Sequence, residues 1–546
     1  MARNKHVLGF ELSTQSAKWI VLDTESGTLA ASGGFEFDTH FPSYGTHGGV
    51  LESSDPKLRH APPAMYLDAL DAIFEQLRES DIDPGSLAAI KCDAQQHCTV
   101  YSNASLAERL ARLTEAHSLV DWIEPAITRR TSPIWEDRTT AREAEQLSEA
   151  LAEAHGGGWA GGGGPGENAA NARRATGVEA ITGNRAELRF PASQIIRWAN
   201  ESPQEFHNTA HIQLLSAWLT SILTGRIAPV DSGDGWGTNL NHLDIDHPGF
   251  SPTALTAAAK LCGDSAPARL SSLVGEMVAY DAPLGTISPY FSRRYGVSPD
   301  AVVLAATGDN PATLLGVGDG ALVSMGSSYT VCGPMAVPTP SPDGSYNVFG
   351  YRPGFAVALT VITNGGKLHR EFCDRFAGGD WSAYGELTGG RRIDPDREPL
   401  MLPYLSDESV PVAPAGIVRD GFDETDPAAN VRALHLSQVA SMRLHSRHLA
   451  DVDRVNVVGG GAANPFLRQA IADAFDATVS VAANAEVAAP FGCALSAARF
   501  NLACTYEEVV ARFAGGTEEV APDPDASGKW AKLIDRYRAL ERAHVG

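Results

Sequence analysis

Cysteine is scarce in this 546-residue chain: seven, at 92, 98, 262, 332, 373, 493 and 504, scattered and without a Cys-x-x-Cys pair. That excludes a disulfide framework and a zinc site built on thiolates, and predicts a chain suited to a reducing cytoplasm. Positive charge is also short. Forty-three Lys and Arg against 66 Asp and Glu leave a formal net charge of −23. So acidic a surface repels a phosphate backbone, and no basic run offsets it, so nucleic acid is not an expected partner. No stretch approaches the roughly 20 apolar residues that cross a bilayer. The first apolar run, from Val7, is broken at Glu11, so no secretory leader is expected and a soluble protein without a membrane partner is predicted. Two nucleotide signatures are missing as well. Gly366-Lys367 continues into Leu368 instead of Ser or Thr, so there is no Walker loop. Gly316, Gly318 and Ala321 match a loose GxGxxA, but ahead of a strand instead of behind one, which excludes a dinucleotide-binding dehydrogenase.

What is present is a globular composition, 43% hydrophobic and 20% charged. The length exceeds the roughly 250–300 residues that one core supports, which predicts two domains, 1–300 and 301–546. The chain opens as strand 7–10, polar turn Ser13-Thr14-Gln15-Ser16, strand 17–22 and a third strand near 29–37. Leu67, Leu70, Phe74 and Leu77 recur at helical spacing, and residues 86–91 read as a buried strand leading to Gln95-Gln96-His97. Ile212, Leu215, Leu219 and Leu223 mark another helix, which Gly225 ends as a C-cap. Far downstream the opening design returns as strand 321–325, turn Gly326-Ser327-Ser328 and strand 329–332. The repetition predicts two related halves facing one cleft. Strand 455–458, Gly459-Gly460-Gly461 and a helix over 464–475 form one further unit, and the Gly-rich stretch 155–166 reads as a flexible surface insertion.

Several of these segments have chemical potential. A turn rich in hydroxyls and amides, such as Ser13–Ser16, can cradle phosphate oxygens, and Glu11 beside it can hold a metal-bound water; taken alone, the segment reads first as an ordinary hairpin turn. Gly326-Ser327-Ser328 carries the same two readings, and only the pair can clamp a polyphosphate. Asn310 as N-cap with Pro311 at the first helical position predicts a helix start offering amides and the Asp309 carboxylate to a ligand. Gly459-Gly460-Gly461 before Asn464-Pro465 repeats that logic. Asp231-Ser232-Gly233-Asp234-Gly235 puts two carboxylates on a glycine-rich loop after a helix, where a general base can reach a substrate hydroxyl. An Asx-turn loop is the structural alternative there, and the closing Glu of an EF-hand is missing.

Together these segments resemble the FGGY carbohydrate kinases, and among them xylulose kinases of the eukaryotic type, over residues 7 to about 498. The resemblance is carried by Leu8-Gly9-Phe10-Glu11-Leu12-Ser13-Thr14-Gln15, Tyr44-Gly45-Thr46-His47-Gly48-Gly49-Val50, Gln95-Gln96-His97 and Pro133-Ile134-Trp135-Glu136-Asp137. It continues in Thr182-Gly183-Asn184-Arg185-Ala186-Glu187-Leu188-Arg189-Phe190, the Asp231 loop and Thr307-Gly308-Asp309-Asn310-Pro311-Ala312. It implies an α/β fold of two ribonuclease-H-like, actin-type domains around a central cleft, with sugar on the first and ATP on the second. By that resemblance His97, Arg189, Asp309 and Asn310 hold the sugar and Asp231 is the base. Ser13, Thr14, Gln15, Gly326, Ser327, Ser328, Trp381, Gly459, Gly460 and Asn464 then bind ATP, and Mg2+ arrives with the nucleotide, with Glu11 acting through a water.

The implied reaction is the ATP-dependent phosphorylation of D-xylulose in the cytoplasm. D-ribulose, L-ribulose or a polyol are alternative substrates, a sugar-binding regulatory homologue without transfer or an actin-like ATPase are alternative functions, and a homodimer stays open. Three residues depart from the family pattern. Glu11 stands where Asp is usual, displacing the carboxylate by about 1.5 Å. Ser stands for Thr in the second phosphate turn, and Trp236 occupies a usually small position, where it is expected to crowd the ligands.

Overall fold

A computed structural model describes residues 5–154, 177–263, 267–449, 452–482, 484–513 and 515–545. The Gly-rich segment 155–166 lies outside the described residues. In the first half, His6–Leu12 (β1), Ser16–Asp23 (β2) and Thr28–Glu36 (β3) make a meander, followed by helix Pro63–Glu79 (α1) and strand Leu87–Ala94 (β4). Strand Thr99–Ser102 (β5) comes next, then helix Pro191–Glu201 (α2), strand His211–Leu214 (β6), which pairs with β5, and helix Leu215–Thr224 (α3). Pro283–Thr286 (β7), Val302–Leu304 (β8), Thr307–Gly308 (β9) and helix Asp309–Gly316 (α4) complete this half. Its main sheet runs β7-β8-β4-β1-β2-β3, and β9 also pairs with β4. β1 reads His-Val-Leu-Gly-Phe-Glu-Leu and is buried almost throughout, as a central strand covered on both faces should be. On α1, Leu67, Leu70, Phe74 and Leu77 are fully buried against the same core, each contributing about 1.5–3 kcal/mol.

The second half holds Ala321–Met325 (β10), Tyr329–Met335 (β11), Asn347–Gly350 (β12) and Ala356–Ile362 (β13). Helices Gly366–Ala377 (α5), Trp381–Leu387 (α6) and Pro427–His445 (α7) follow, then Arg454–Val458 (β14), Pro465–Phe475 (α8), Thr478–Ala482 (β15), Ala488–Leu502 (α9) and Thr517–Val520 (β16). The sheet order is β12-β13-β11-β10-β14-β15-β16. The central order β3-β2-β1-β4-β8 therefore returns as β13-β11-β10-β14-β15, two antiparallel neighbours and then two parallel ones in each sheet. This is the ribonuclease-H-like arrangement, present twice.

Helices α4 and α9 cross between the sheets, and the crossing needs glycine. A Cβ on Gly316 would sit 1.7 Å from the Ala488 carbonyl oxygen, and one on Gly492 2.0 Å from that of Ala312. Leu314, Leu315, Phe491 and Leu495 of this pair share a core with Val7, Ile20 and Leu22 of the first sheet and Leu322, Val357 and Leu359 of the second. A boundary at 300/301 is thereby corrected: β8 and β9 lie past residue 300 yet finish the first sheet, and α9 returns from the second half to cover β1 and β4. Two smaller expectations also change. Ile212 belongs to β6, not to α3, which does end at Gly225 in a left-handed conformation. The N-cap of α4 is Gly308; Asn310 and Pro311 fall in its first turn, where the missing proline N–H has no intrahelical partner to lose. Among the described residues no single helix is long and apolar enough to cross a membrane.

Candidate active site

The carboxyl ends of the central strands collect the chemistry, as expected for open α/β sheets. At that end of the first sheet, β1 sets Glu11 beside Asp93 of β4, and β9 sets Thr307 on the other side of Asp93. Asp231 and Asp234 lie close by, and α4 starts at Asp309. Asp93, Asp231 and Asp234 have no exposed surface, whereas Glu11 and Asp309 are partly exposed. Burial pushes Glu11 up to about 7, opposed by the charge of Lys18 and helped by that of Asp309. Burial also lifts Asp309 to about 6, against hydrogen bonds from Asn310. Asp93 is held well above the carboxylate range by burial first, then by the charges of Glu11 and Asp309. Beneath them Lys91, itself buried, donates to the carbonyls of Tyr280 and Ala305 and sits 4.2 Å from the Tyr280 ring centroid.

Asp231 is not where a base must be. Val230, Trp236 and Leu240 draw its loop into the core, and the segment Ser232–Gly235 is a helical turn that Asp231 caps by accepting from the Asp234 amide at 2.9 Å. With no surface and a structural task, its carboxyl is a buried cap, correcting the expectation that it takes the substrate proton. Asp234 is similarly committed, accepting from Ser216 Oγ. Trp236 does not crowd the ligands either: its ring is buried with Leu214, Ala217, Val230, Met277 and Val348.

The residues expected to hold the sugar do converge. His97 takes φ 68°, an uncommon left-handed conformation for a non-glycine residue. That turn lays its ring on Phe190 at 4.4 Å and points Nδ1 at the Gly237 carbonyl, 2.9 Å away. Burial and the charge of Arg189 hold the ring well below its usual titration range. The imidazole is neutral, donating through Nδ1 and leaving Nε2 as an acceptor. Arg189 donates to Glu187 and to Asn347 of β12, and Asn347 donates back to Glu187. Asn310 donates from Nδ2 to Gln96 Oε1 at 2.8 Å and to Asp309 Oδ1 at 2.9 Å, and its amide donates to the same Oδ1. These bonds fix the Asp309 side chain through Oδ1. Gln96 and Asn347 went unmarked in the sequence; Gln96 stands beside His97 in a quoted motif, while Asn347 lies 158 positions from Arg189 and carries no local signal.

The first phosphate turn is more occupied than expected. Ser13 Oγ donates to the Ser16 carbonyl, and Thr14 Oγ1 donates to Gln95 while accepting from Trp135 Nε1 at 3.0 Å. The hydroxyls of Ser13 and Thr14 are therefore spent inside the protein, and Gln15 alone offers an exposed side chain here. The Tyr44–Val50 motif supports the turn: a Cβ on Gly49, at φ 74°, would fall 1.7 Å from the Thr14 carbonyl oxygen. The second turn is open, with Gly326 and Ser327 exposed and Ser328 partly so. The start of α5 seats on it through the Gly366 amide donating to Gly326 O at 3.0 Å.

The remaining residues expected at the nucleotide form one contiguous set. Trp381 is 47% exposed, with the Arg370 guanidinium 5.0 Å from its ring centroid and Tyr384 edge-on at 5.6 Å. Tyr384 contacts His435, whose Nε2 accepts from Asn464 Nδ2, and Asn464 caps α8 just after Gly459-Gly460. Behind them His369 donates to Gln438 Oε1 at 2.7 Å and accepts from the Tyr384 hydroxyl, while Gln438 Nε2 donates to the Asn364 and Gly365 carbonyls. Burial lowers His369 to about 4 and His435 to about 3, so both are neutral relays. Gln438 and His435, in the middle of α7, went unmarked because a buried helix position carries no sequence signal for what it touches.

No described group of three or more His, Cys, Asp or Glu side chains is arranged to hold a metal ion. A nucleotide-borne Mg2+ needs only one or two protein carboxylates, and the partly exposed Glu11 fits that lighter demand.

Two ribonuclease-H-like halves, with carboxyls at the strand ends of the first and glycine turns at the same strand ends of the second, fit a phosphotransferase. The C-terminal domain of the FGGY family of carbohydrate kinases matches residues 323–500. D-xylulose kinase A of Aspergillus niger is 30% identical over 497 residues, 84% of this chain and 82% of that protein. Xylulose kinase of Rattus norvegicus is 28% identical over 554 residues, 98% of this chain and 96% of that one. Among solved structures, xylulose kinase from Rhodospirillum rubrum superposes with a TM-score of 0.76 at 18% identity, covering 99% of both chains. Gluconate kinase from Lactobacillus acidophilus gives 0.78 at 15% identity, covering 99% of this chain and 98% of that one. The chain belongs to the FGGY family of carbohydrate kinases, enzymes that move a phosphoryl group from ATP to a sugar hydroxyl.

Proposed function

We propose that this kinase converts D-xylulose to D-xylulose 5-phosphate with ATP in the cytoplasm, and that Asp309 is its general base. The substrate rests on the relatives named xylulose kinase that span most of the chain. The base rests on one observation: of five carboxyls gathered at the end of the first sheet, only Glu11 and Asp309 reach the surface, and Asp309 is held in place through Oδ1 by Asn310. The seven free thiols, five of them buried, fit a reducing compartment.

His97 Nε2 accepts from one sugar hydroxyl, and Arg189 and Asn310 supply donors, a mix that leaves polar groups unpaired around a wrong isomer. Asp309 Oδ2 takes the proton of the terminal hydroxyl as that oxygen bonds to the γ-phosphorus and the bond from phosphorus to the ADP oxygen breaks. The transition state is loose, so the residues act by positioning. A base at about 6 is ionised at neutral pH and close enough to the working pH to accept a proton well. Glu11 is the residue that would hold a Mg2+-bound water, and the ion would supply neutralisation of charge on the phosphates. Trp381 carries the adenine, with Gly459, Gly460 and Asn464 beside it and Gly326, Ser327 and Ser328 at the phosphates.

The test is ADP release with D-xylulose, D-ribulose, L-ribulose and xylitol, each with ATP and Mg2+. D-xylulose should give the highest kcat/KM; a higher value for any other sugar overturns the substrate assignment.

A further inference from the structure

Behind the wall that carries His97 lies a cavity of about 170 Å³, bounded by α2, β6, α3 and the helix Pro267–Val274. Its surface is chiefly apolar, with Ile195, Ile212, Leu214, Leu240 and Leu273 all buried. It has no Asp, Glu, Lys or Arg, and its one histidine, His211, is pushed below its ordinary range by burial and is neutral. Gln213 lines it and is 6% exposed. Its Nε2 is committed to Ser221 Oγ at 2.9 Å and to the Ala228 carbonyl at 3.0 Å, while its Oε1 has no partner. Thr238, also in the lining, cannot serve that oxygen, because its hydroxyl donates to the Gly235 carbonyl.

The cavity touches the back of the site residue by residue. Pro191 in its wall follows Phe190, on which His97 stacks. Thr238 follows Gly237, whose carbonyl His97 bonds, and Thr99 stands two residues after His97 itself. A molecule that spreads this wall shifts both contacts that hold the imidazole.

We propose that this cavity binds a small, uncharged, mostly apolar molecule carrying one hydrogen-bond donor, such as an aromatic or short aliphatic alcohol, and that its occupancy is felt at His97. Size and lining set the class. A cavity of about 150 Å³ lined by Leu, Ile and Phe accepts benzene, and the space here is similar. A charge entering it would find no counter-charge. The donor is chosen for Gln213 Oε1, a buried acceptor without a partner that a guest's hydroxyl reaches once the side chain turns toward the cavity. The binding stands apart from the kinase reading; only the effect on the sugar rests on it.

The experiment uses the full chain with its isoleucine methyl groups labelled for NMR, and benzyl alcohol as probe. Saturable shifts of the Ile195 and Ile212 methyls are expected, with toluene binding about tenfold more weakly because it lacks the donor. Benzyl alcohol should change KM for D-xylulose by about twofold or more, consistent with a small displacement of one binding group. Ala217→Leu, which fills the cavity, and separately Ile195→Phe should remove both responses while leaving turnover without the alcohol unchanged. Absence of saturable shifts in the wild-type protein up to the solubility limit overturns the site. Equal binding of toluene overturns the role of Gln213, and binding with an unchanged KM overturns the link to His97. If D-xylulose is not turned over at all, the kinase reading fails while the methyl titration still decides the cavity.

Discussion

The two halves share a strand order and differ in what their strands end on. At the carboxyl end of the first sheet the chain puts five acids, three of them without exposed surface, above a buried lysine. At the same end of the second sheet it puts Gly326, Ser327, Gly459 and Gly460, all exposed, backed by two neutral histidines and a glutamine. The first arrangement raises carboxyl pKa values and suits proton transfer. The second keeps charge out and presents backbone and an aromatic face, which suits a polyanion with a flat base. One topology thus serves two chemistries, and a few residues just past the strand ends decide which.

The sharpest way to break this comparison is to separate the halves. Gly492→Val places side-chain atoms where the Ala312 carbonyl already lies, so the α4–α9 crossing must open at about 4 kcal/mol or more. Denaturation should show a large loss of stability or no folded protein; a variant as stable as wild type would mean the crossing does not join the halves. Next, Gln438→Leu strips two buried carbonyls of their donor and His369 of its acceptor, about 1–3 kcal/mol. Its effect should fall on the nucleotide half, with KM for ATP raised about tenfold and KM for D-xylulose unchanged; equal changes in both would merge what the comparison separates. Trp381→Ala should act in the same direction and less, about 1 kcal/mol, seen as a several-fold rise in KM for ATP.

A pH-dependent effect sharpens the other half. Asp231 has a folded pKa of about 7 against an ordinary 3.8, so its protonated form is the one the fold favours. Its contribution to stability is intact below about pH 4 and is lost as pH rises to about 7, because the unfolded chain ionises first. Asp231→Asn has no such dependence. The stability of Asp231→Asn minus that of wild type, read by thermal unfolding, should therefore grow from pH 5 to pH 8. A difference that shrinks over that range would show Asp231 to be stabilised as an anion.

Much of the fold was legible because central strands are continuous apolar runs and the turns between them are short and polar, at Ser13–Ser16 as at Gly326–Ser328. The boundary at 300 was not legible, since β8 and β9 are only three and two residues long and complete a sheet begun some three hundred positions earlier. Of the candidate site, His97, Arg189, Asp309 and Asn310 were marked by their motifs, and the structure brings them near one another. Asp231 misled because two carboxylates among glycines look like an exposed loop; the flanking Val230, Trp236 and Leu240 were the sign that it folds inward. Ser13 and Thr14 show a related limit, as a hydroxyl in a turn shows its chemistry but not its partner. Gln438 and Asn347 act through contacts made across the fold, which no spacing records.

Asp309 as the proton acceptor is decided most directly by single-turnover phosphorylation of D-xylulose with Asp309→Asn and Asp231→Asn compared side by side. Asp309→Asn should slow transfer by about 10²–10⁴-fold with sugar and ATP still bound, while Asp231→Asn should stay within about tenfold of wild type. A folded Asp231→Asn that transfers nothing, beside an Asp309→Asn that still turns over, would contradict it.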